Sequence, residues 1–377
     1  MHGRVTIPLA KPDITESERE AVQEVLKTSS LSLGPRTFMF EEEAARYADL
    51  MHGVAVNSGT SALHLILEGL GIGEGDEVVT TPFSFVASSN CILFTRATPV
   101  FVDIDSETLC IDPEAVESAI TPRTKAILAV DVFGHPANWP ALERIADRHG
   151  LMLIEDSAEA LGSSHGGRKC GAFGHAGVFA FYPNKQITTG EGGMVVTNDD
   201  RLARLCRSMA NQGRGDGDDW LCHVRLGYNY RMDELSAALG LAQLARIDEI
   251  IEARHRVAAQ YTEALCEIDG VLPPRAIGNV DVSWFVYVVR LDNAFSRADR
   301  DAILQGLSAR GIGCRNYFAP IHLQPFYQEK MGTREGDYPV TEAVGARTIA
   351  LPFFTRLQED QIAQVVEALR QELRCRR

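Results

Sequence analysis

The chain lacks any Cys-x-x-Cys pair and any clustered Cys/His spacing, which removes zinc modules from consideration. Its eight cysteines, at 91, 110, 170, 206, 222, 266, 314 and 375, are scattered over 377 residues, a pattern of free thiols in a reducing cytoplasm rather than a disulfide framework. No apolar run approaches the ~18 residues of a membrane span. The opening stretch Met1 to Leu9 is interrupted by Pro8 before it can form the apolar core of a signal peptide. A cytoplasmic protein is expected. There is no internal repeat and no low-complexity tract. No G-x-G-x-x-G follows the first apolar strand, which disfavours a dinucleotide-dependent dehydrogenase. Positive charge is also short: 37 Lys and Arg against 51 Asp and Glu leave a net charge of −14, unsuited to nucleic acid or an anionic membrane. An anionic ligand needs a local positive pocket.

What the chain does have is apolar material, 45% of its residues, enough for two or three units at a prior of roughly 100 to 200 residues each. Between about 50 and 200, short apolar runs alternate with helical patterns. Candidate strands are Val54–Val56, Glu77–Thr80, Pro99–Asp103, Ala126–Val130, Leu151–Glu155, Val178–Phe181 and Met194–Val196, with helices over Ser61–Leu70, Pro113–Ile120 and Trp139–His149. This predicts an α/β domain with a mostly parallel central sheet, its near-continuous apolar strands buried on both faces. One long helix is predicted over Asp233–Leu265 as a bridge into a smaller C-terminal α+β domain, with a strand over Trp284–Leu291 and helices over Asp299–Arg310 and Glu359–Leu373. The expected domains are 10–250 and 251–377.

Chemistry gathers at the ends of these strands. Lys185 lies in Phe181-Tyr182-Pro183-Asn184-Lys185-Gln186, ahead of Gly190-Glu191-Gly192-Gly193. An amine on a short loop beside a tight turn can attack an aldehyde cofactor, although a lone lysine there also suits a solvated loop. Asn57-Ser58-Gly59-Thr60-Ser61 opens a helix after a strand, and its free amides and dipole suit a phosphate. A plain N-cap at Ser58 or Thr60 accounts for the same residues. Asp156 ends the strand from Leu151, where α/β folds bind ligands. It could keep a pyridine nitrogen protonated and make the ring an electron sink, or equally cap a helix. Phe85 follows the strand from Glu77 and could stack on such a ring or be core.

Phosphate turn, aromatic, strand-end aspartate and loop lysine occur in that order. With these residues, the sequence resembles the fold-type-I pyridoxal phosphate (PLP) enzymes and, among them, the nucleotide-sugar aminotransferases of DegT/StrS type. The resemblance runs from Leu31-Ser32-Leu33-Gly34-Pro35 through Gly59-Thr60-Ser61, Gly73-Glu74-Gly75-Asp76-Glu77-Val78, Glu155-Asp156, Pro183-Asn184-Lys185 and Gly227-Tyr228-Asn229-Tyr230-Arg231-Met232 to Pro320-Ile321-His322. It implies an aspartate-aminotransferase-like fold with PLP as cofactor. Lys185 is implied as the Schiff-base lysine and proton carrier, Asp156 as the partner of the ring nitrogen and Phe85 as the stacking ring. Gly59, Thr60 and Ser61 are implied at the phosphate, and Glu159 near the phenolic oxygen. Asn229 is implied to reach the phosphate of a neighbouring subunit, hence a homodimer with shared sites. Tyr317 and His322 fall in a loop implied to approach the nucleotide-sugar. Histidine replaces the lysine in the family's dehydratase branch; Lys185 is present, so transamination from glutamate or glutamine to a keto-sugar is expected. Arg231 is the candidate for the donor carboxylate, with a subunit-interface ion pair as its other reading. Ala180 stands where many relatives place a phosphate-binding serine. The remaining alternatives are a 3-keto-sugar or keto-cyclitol acceptor instead of a 4-keto-6-deoxyhexose, and a non-catalytic scaffold that kept the fold.

Overall fold

The computed structural model describes residues 6–215 and 221–376; Met1 to Val5, part of the opening stretch considered above, lie outside the described residues. A seven-stranded sheet organises the larger part of the chain: β1 (His52–Val56), β2 (Glu77–Thr80), β3 (Thr98–Phe101), β4 (Thr124–Val130), β5 (Met152–Asp156), β6 (Ala176–Ala180) and β7 (Gly193–Thr197). Their spatial order is β1-β7-β6-β5-β4-β2-β3. β3, β2, β4, β5 and β6 pair in parallel, and β7 runs antiparallel to both β6 and β1. The expected mostly parallel sheet is therefore present. In β5 the apolar Leu153 and Ile154 give way to Glu155 and Asp156 at the C-terminal end, which puts charge where the strands stop and a ligand crevice begins.

Helices α1 (Glu16–Leu26), α2 (Pro35–Tyr47), α3 (Gly59–Gly69) and α4 (Ala87–Phe94) precede or follow the first strands. The single helix predicted over Asp233–Leu265 is two, α5 (Glu234–Leu244) and α6 (Ile247–Leu265). The break comes at Arg246, whose backbone leaves helical geometry at φ −110° and ψ 14°. Its guanidinium bonds Glu18 at 2.7 Å and Glu249 at 2.9 Å. Apolar periodicity is blind to that pull from α1. Glu234, at the start of α5, reaches back across the chain to cap α2, accepting the amides of Gly34 at 3.0 Å, Arg36 at 2.9 Å and Thr37 at 2.8 Å. A Cβ on residue 34 would lie 2.6 Å from that carboxylate, so a larger residue there would push the Glu234 cap aside.

A second sheet joins Val271–Leu272, Tyr287–Leu291 and Thr348–Leu351 in antiparallel pairs. The strand predicted from Trp284 begins only at Tyr287, because Trp284 adopts a left-handed φ of 55°. Its core includes Val257, Tyr261, Tyr287, Leu307 and Leu369, with Ile7 from the other end of the chain. α6 serves both cores: Ile247 and Ile250 pack beneath the large sheet, and Val257 to Leu265 pack in the second. The expected boundary near residue 250 thus falls inside one continuous helix.

Candidate active site

β6 ends at Ala180 and the chain turns back into β7 through a compact loop that carries Lys185. Phe181 anchors it, donating to the Gly192 carbonyl at 3.0 Å and accepting from the Thr189 amide at 3.0 Å. A Cβ at Gly192 would meet the Thr189 hydroxyl at 2.2 Å, so a side chain there would displace Thr189 from the turn. Arg254 of α6, fully buried, donates to the Lys185 carbonyl at 2.7 Å and to the Trp284 and Phe285 carbonyls at 3.1 and 3.2 Å. The lysine's backbone is thereby tied to the segment just before the strand Tyr287–Leu291.

The Lys185 side chain is 13% exposed, with Nζ 3.5 Å from Glu159 Oε1 and 4.0 Å above the Phe285 ring. Glu159 is buried and also accepts the Phe133 amide at 2.9 Å. Burial raises its pKa, opposed by the Lys185 charge and the Phe133 N–H. Asp156, at the end of β5, accepts the Ser88 hydroxyl at 2.7 Å and the Ala158 amide at 3.2 Å. Burial raises its pKa as well, against the Ser88 and Ala158 bonds and the attraction of Lys185. One cation thus acts on two buried carboxyls that have no other cationic partner among the described residues. Ser88 lies one turn beyond Phe85, whose ring is 61% exposed and faces a cleft of about 750 Å³ shared with Asn90, Phe94, Phe318, Gln324 and Lys330.

Gly59, Thr60 and Ser61 open α3. Ser58 caps the helix by accepting the Ser61 amide at 3.1 Å, so the Ser61 N–H is already in use, and the amides of Gly59 and Thr60 belong to the first turn, where no helical partner exists. A Cβ on Gly59 would come 2.8 Å from the Ala180 Cβ, and one on Gly193 would come 2.5 Å from the Ser58 backbone. The helix start is therefore pressed against the ends of β6 and β7, beside the lysine loop.

The remaining expected residues divide into two groups. Tyr317 lies beside the lysine loop: burial, followed by the Glu159 charge, raises its pKa, and Asn184 opposes the rise. Asn184 Oδ1 is buried without a partner. Asn229 and Arg231 run beside β1, where the Tyr230 carbonyl accepts the Asn57 amide at 2.8 Å. Arg231 donates to Asn211 at 3.0 Å, and the Asn229 side chain is exposed. His322 is wholly buried with Nε2 2.9 Å from Glu342 Oε1, so its ring braces the loop rather than opening onto the cleft. Sequence reasoning missed Ser88, Gln186, Arg254 and Phe285. Gln186 donates to the Glu159 carbonyl at 2.6 Å and Ser283 at 2.8 Å. Ser88 had a signal, a hydroxyl one turn after Phe85; Arg254 had none, lying in a charged stretch that reads as solvated.

The profile of the DegT/DnrJ/EryC1/StrS aminotransferase family matches residues 12–370. The chain belongs to that family. It is a sugar aminotransferase, and the family is PLP-dependent. Among relatives, the GDP-perosamine synthase of Caulobacter vibrioides is 40% identical over 370 residues, covering 97% of this chain and 98% of that protein. S. venezuelae DesV, solved in complex with a ketimine intermediate, is 37% identical with a TM-score of 0.88 over 94% of each chain. A Streptococcus pneumoniae relative solved in a PLP form is 28% identical with a TM-score of 0.93, covering 98% of this chain and 99% of that one. The aminotransferase carries groups that fit a cofactor of this kind: an amine, buried carboxyls under its charge, and the Gly59 and Thr60 amides of a helix start whose cap engages only the Ser61 N–H. Scaffold and dehydrogenase readings are set aside. Among the described residues no helix is long and apolar enough to cross a membrane.

Proposed function

We propose that this aminotransferase moves an amino group from glutamate or glutamine to a nucleotide-linked keto-sugar, a 4-keto-6-deoxyhexose, for amino-sugar or surface-polysaccharide synthesis in the cytoplasm. The observation that carries the reading is that the Lys185 amine lies 3.5 Å from the buried Glu159 carboxyl and its charge also acts on the buried Asp156 at the end of β5. When bound, PLP supplies an aldehyde that captures amino groups and a ring that accepts the electrons freed when a substrate C–H bond breaks. Lys185 Nζ takes the proton from the donor's carbon, and returns one to the sugar carbon in the second half-reaction, as base and then acid. Asp156 would hold the ring nitrogen protonated; a cation set against it reverses the burial effect that Lys185 already opposes. Glu159 would accept from the phenolic oxygen and hold Lys185 near the reacting carbon. Phe85 would cover one ring face.

Gly59 and Thr60 amides, with Ser61, would receive the phosphate at the α3 start. The exposed Asn229 supports a homodimer in which this residue completes the phosphate site of a second copy, with Arg231 holding the donor carboxylate. Tyr317 would contact the sugar, and His322 would act through the loop it braces. The cleft beyond Phe85 has the size for a nucleotide-sugar, and the GDP-perosamine synthase relative supports a 4-keto acceptor over the 3-keto-sugar and keto-cyclitol alternatives. Incubation with glutamate or glutamine and a panel of nucleotide-linked keto-sugars, read by mass spectrometry, tests this. Amination of a 4-keto-6-deoxyhexose supports it; amination confined to a cyclitol or a 3-keto sugar overturns the acceptor assignment.

A further inference from the structure

Behind Asp156 the sheet encloses a second acid pair that the reaction does not touch. Asp131 follows β4, and Glu155 precedes Asp156 in the parallel neighbour β5, with Ala129 opposite Glu155 and Val130 opposite Asp156. Neither side chain reaches solvent. Their carboxyl oxygens and the Cys170 thiol all lie within 4.8 Å of one another, and no cation pairs with either acid among the described residues. Two full negative charges cannot stand side by side in such a place; one proton has to stay.

The donors decide where it stays. Asp131 Oδ1 accepts the Ala137 amide at 2.8 Å and the Trp139 indole N–H at 2.9 Å, and Oδ2 accepts the Ser157 hydroxyl at 2.9 Å. Glu155 accepts one amide on each oxygen, from Gly171 and Phe173, both at 2.7 Å. We propose that Glu155 keeps its proton and donates it to an ionised Asp131, and that this buried O–H···O⁻ link is a positioning device for Asp156 and, through β6, for Lys185. Burial raises both acids, and Asp131 beside it raises Glu155 further. The thiols that face the pair, Cys170 and Cys110, are raised by burial and then by Asp131, so they remain neutral. Asp156, on the same strand, turns its carboxyl away to Ser88.

The link lies where the strand ends meet. The Asp131 amide donates to the Asp156 carbonyl at 3.1 Å, and the next residue, Ser157, is held by Asp131's carboxylate. Glu155 grips Gly171 and Phe173, in the turn that feeds β6 and hence the lysine loop. Asp131 and Glu155 are positioning residues, and the effect on catalysis rests on the role proposed above for Asp156. A divalent cation is the competing occupant of the same three ligands; N–H groups fill both lone pairs of Asp131 Oδ1, which leaves it only Oδ2, beside the Ser157 hydroxyl.

Infrared spectroscopy of the cofactor-free protein at pH 7 tests the proton, independently of substrate or cofactor. A protonated-carboxyl band that shifts in D2O and disappears in Glu155→Gln and Glu155→Met is expected. Its absence from wild type, or a stoichiometric transition metal in elemental analysis, overturns the proposal. For the positioning role, the PLP-loaded Glu155→Met variant should show a shifted pH titration of its visible band and about a tenfold loss in kcat with KM for the sugar little changed. Glu155→Gln, which still offers Asp131 an N–H, should recover much of both. An unchanged titration in folded Glu155→Met overturns that role, and if this variant fails to fold, Asp131→Asn is read the same way. Failure of the functional reading would show instead as a wild-type enzyme without a visible band.

Discussion

Lys185 and Glu159 face each other at 3.5 Å, in a pocket whose other wall is the Phe285 ring, 4.0 Å from the same amine. A buried carboxylate and an aromatic face hold the amine at a fixed height above the strand ends. Neither lies on the lysine's own loop: Glu159 follows β5 and Phe285 lies two residues before the strand Tyr287–Leu291. The lysine's position is therefore set by the packing of distant segments, and its substitution should alter chemistry far more than folding.

Lys185→Ala should retain native circular dichroism and lose the visible absorption of lysine-bound cofactor. Turnover should fall by at least roughly 10²–10⁴-fold, the range of a positioned acid–base group. Spectral titration with PLP and single-turnover kinetics check this; retained turnover would remove Lys185 from the mechanism.

Ala180→Ser should tighten PLP. The absent Cβ of Gly59, whose position would lie 2.8 Å from the Ala180 Cβ, leaves room for a hydroxyl beside the α3 start. A hydrogen bond to a charged phosphate contributes about 1.5 kcal/mol or more, roughly tenfold in Kd. Equilibrium dialysis of the two proteins measures it, and an unchanged or weaker Kd refutes the expectation.

Arg254→Met should damage both stability and rate. It leaves the carbonyls of Lys185, Trp284 and Phe285 without their donor, at a cost on the order of 3 kcal/mol. Burial lowers the guanidinium's pKa to about 10, so it stays charged at neutral pH. Urea unfolding should show the loss, and kcat should fall more than KM rises, because the lysine's anchor is gone.

Acid should weaken the contact between α1 and the start of α6. Burial works to raise the Glu18 pKa, but bonds from Thr15, Arg246 and Gln243 overcome it and lower the value from 4.5 to about 2. A depressed acid pKa stabilises the fold above the unfolded value, and that contribution disappears as pH falls through 4.5 towards about 2. The shift corresponds to about 3 kcal/mol. Unfolding free energies at neutral and acid pH should therefore differ less in Glu18→Gln than in wild type; equal differences would refute the assignment.

Much of the sheet was legible because strand signals are local. Leu151 to Glu155 and Ala126 to Val130 are apolar runs bounded by turns, and burial on both faces follows directly from that composition. The order of turn, aromatic, aspartate and lysine could likewise be read from short segments. The helical stretch from Asp233 read wrongly as one helix because its break depends on Glu18, more than two hundred residues earlier in the chain. The strand from Trp284 read three residues too early because a left-handed residue leaves no mark on an apolar pattern.

The sequence by itself determined the kind of fold, the lysine, and the strand end on which the aspartate stands, since each depends on periodicity and turn chemistry within a few neighbouring residues. Tertiary structure alone decided what surrounds them. Ser88 meets Asp156 across 68 residues of chain and Arg254 meets Lys185 across 69. Asp131 meets Glu155 only because β4 and β5 lie side by side. No local pattern encodes such pairs, because the free energy that selects them appears only when separated strands come together and exclude water.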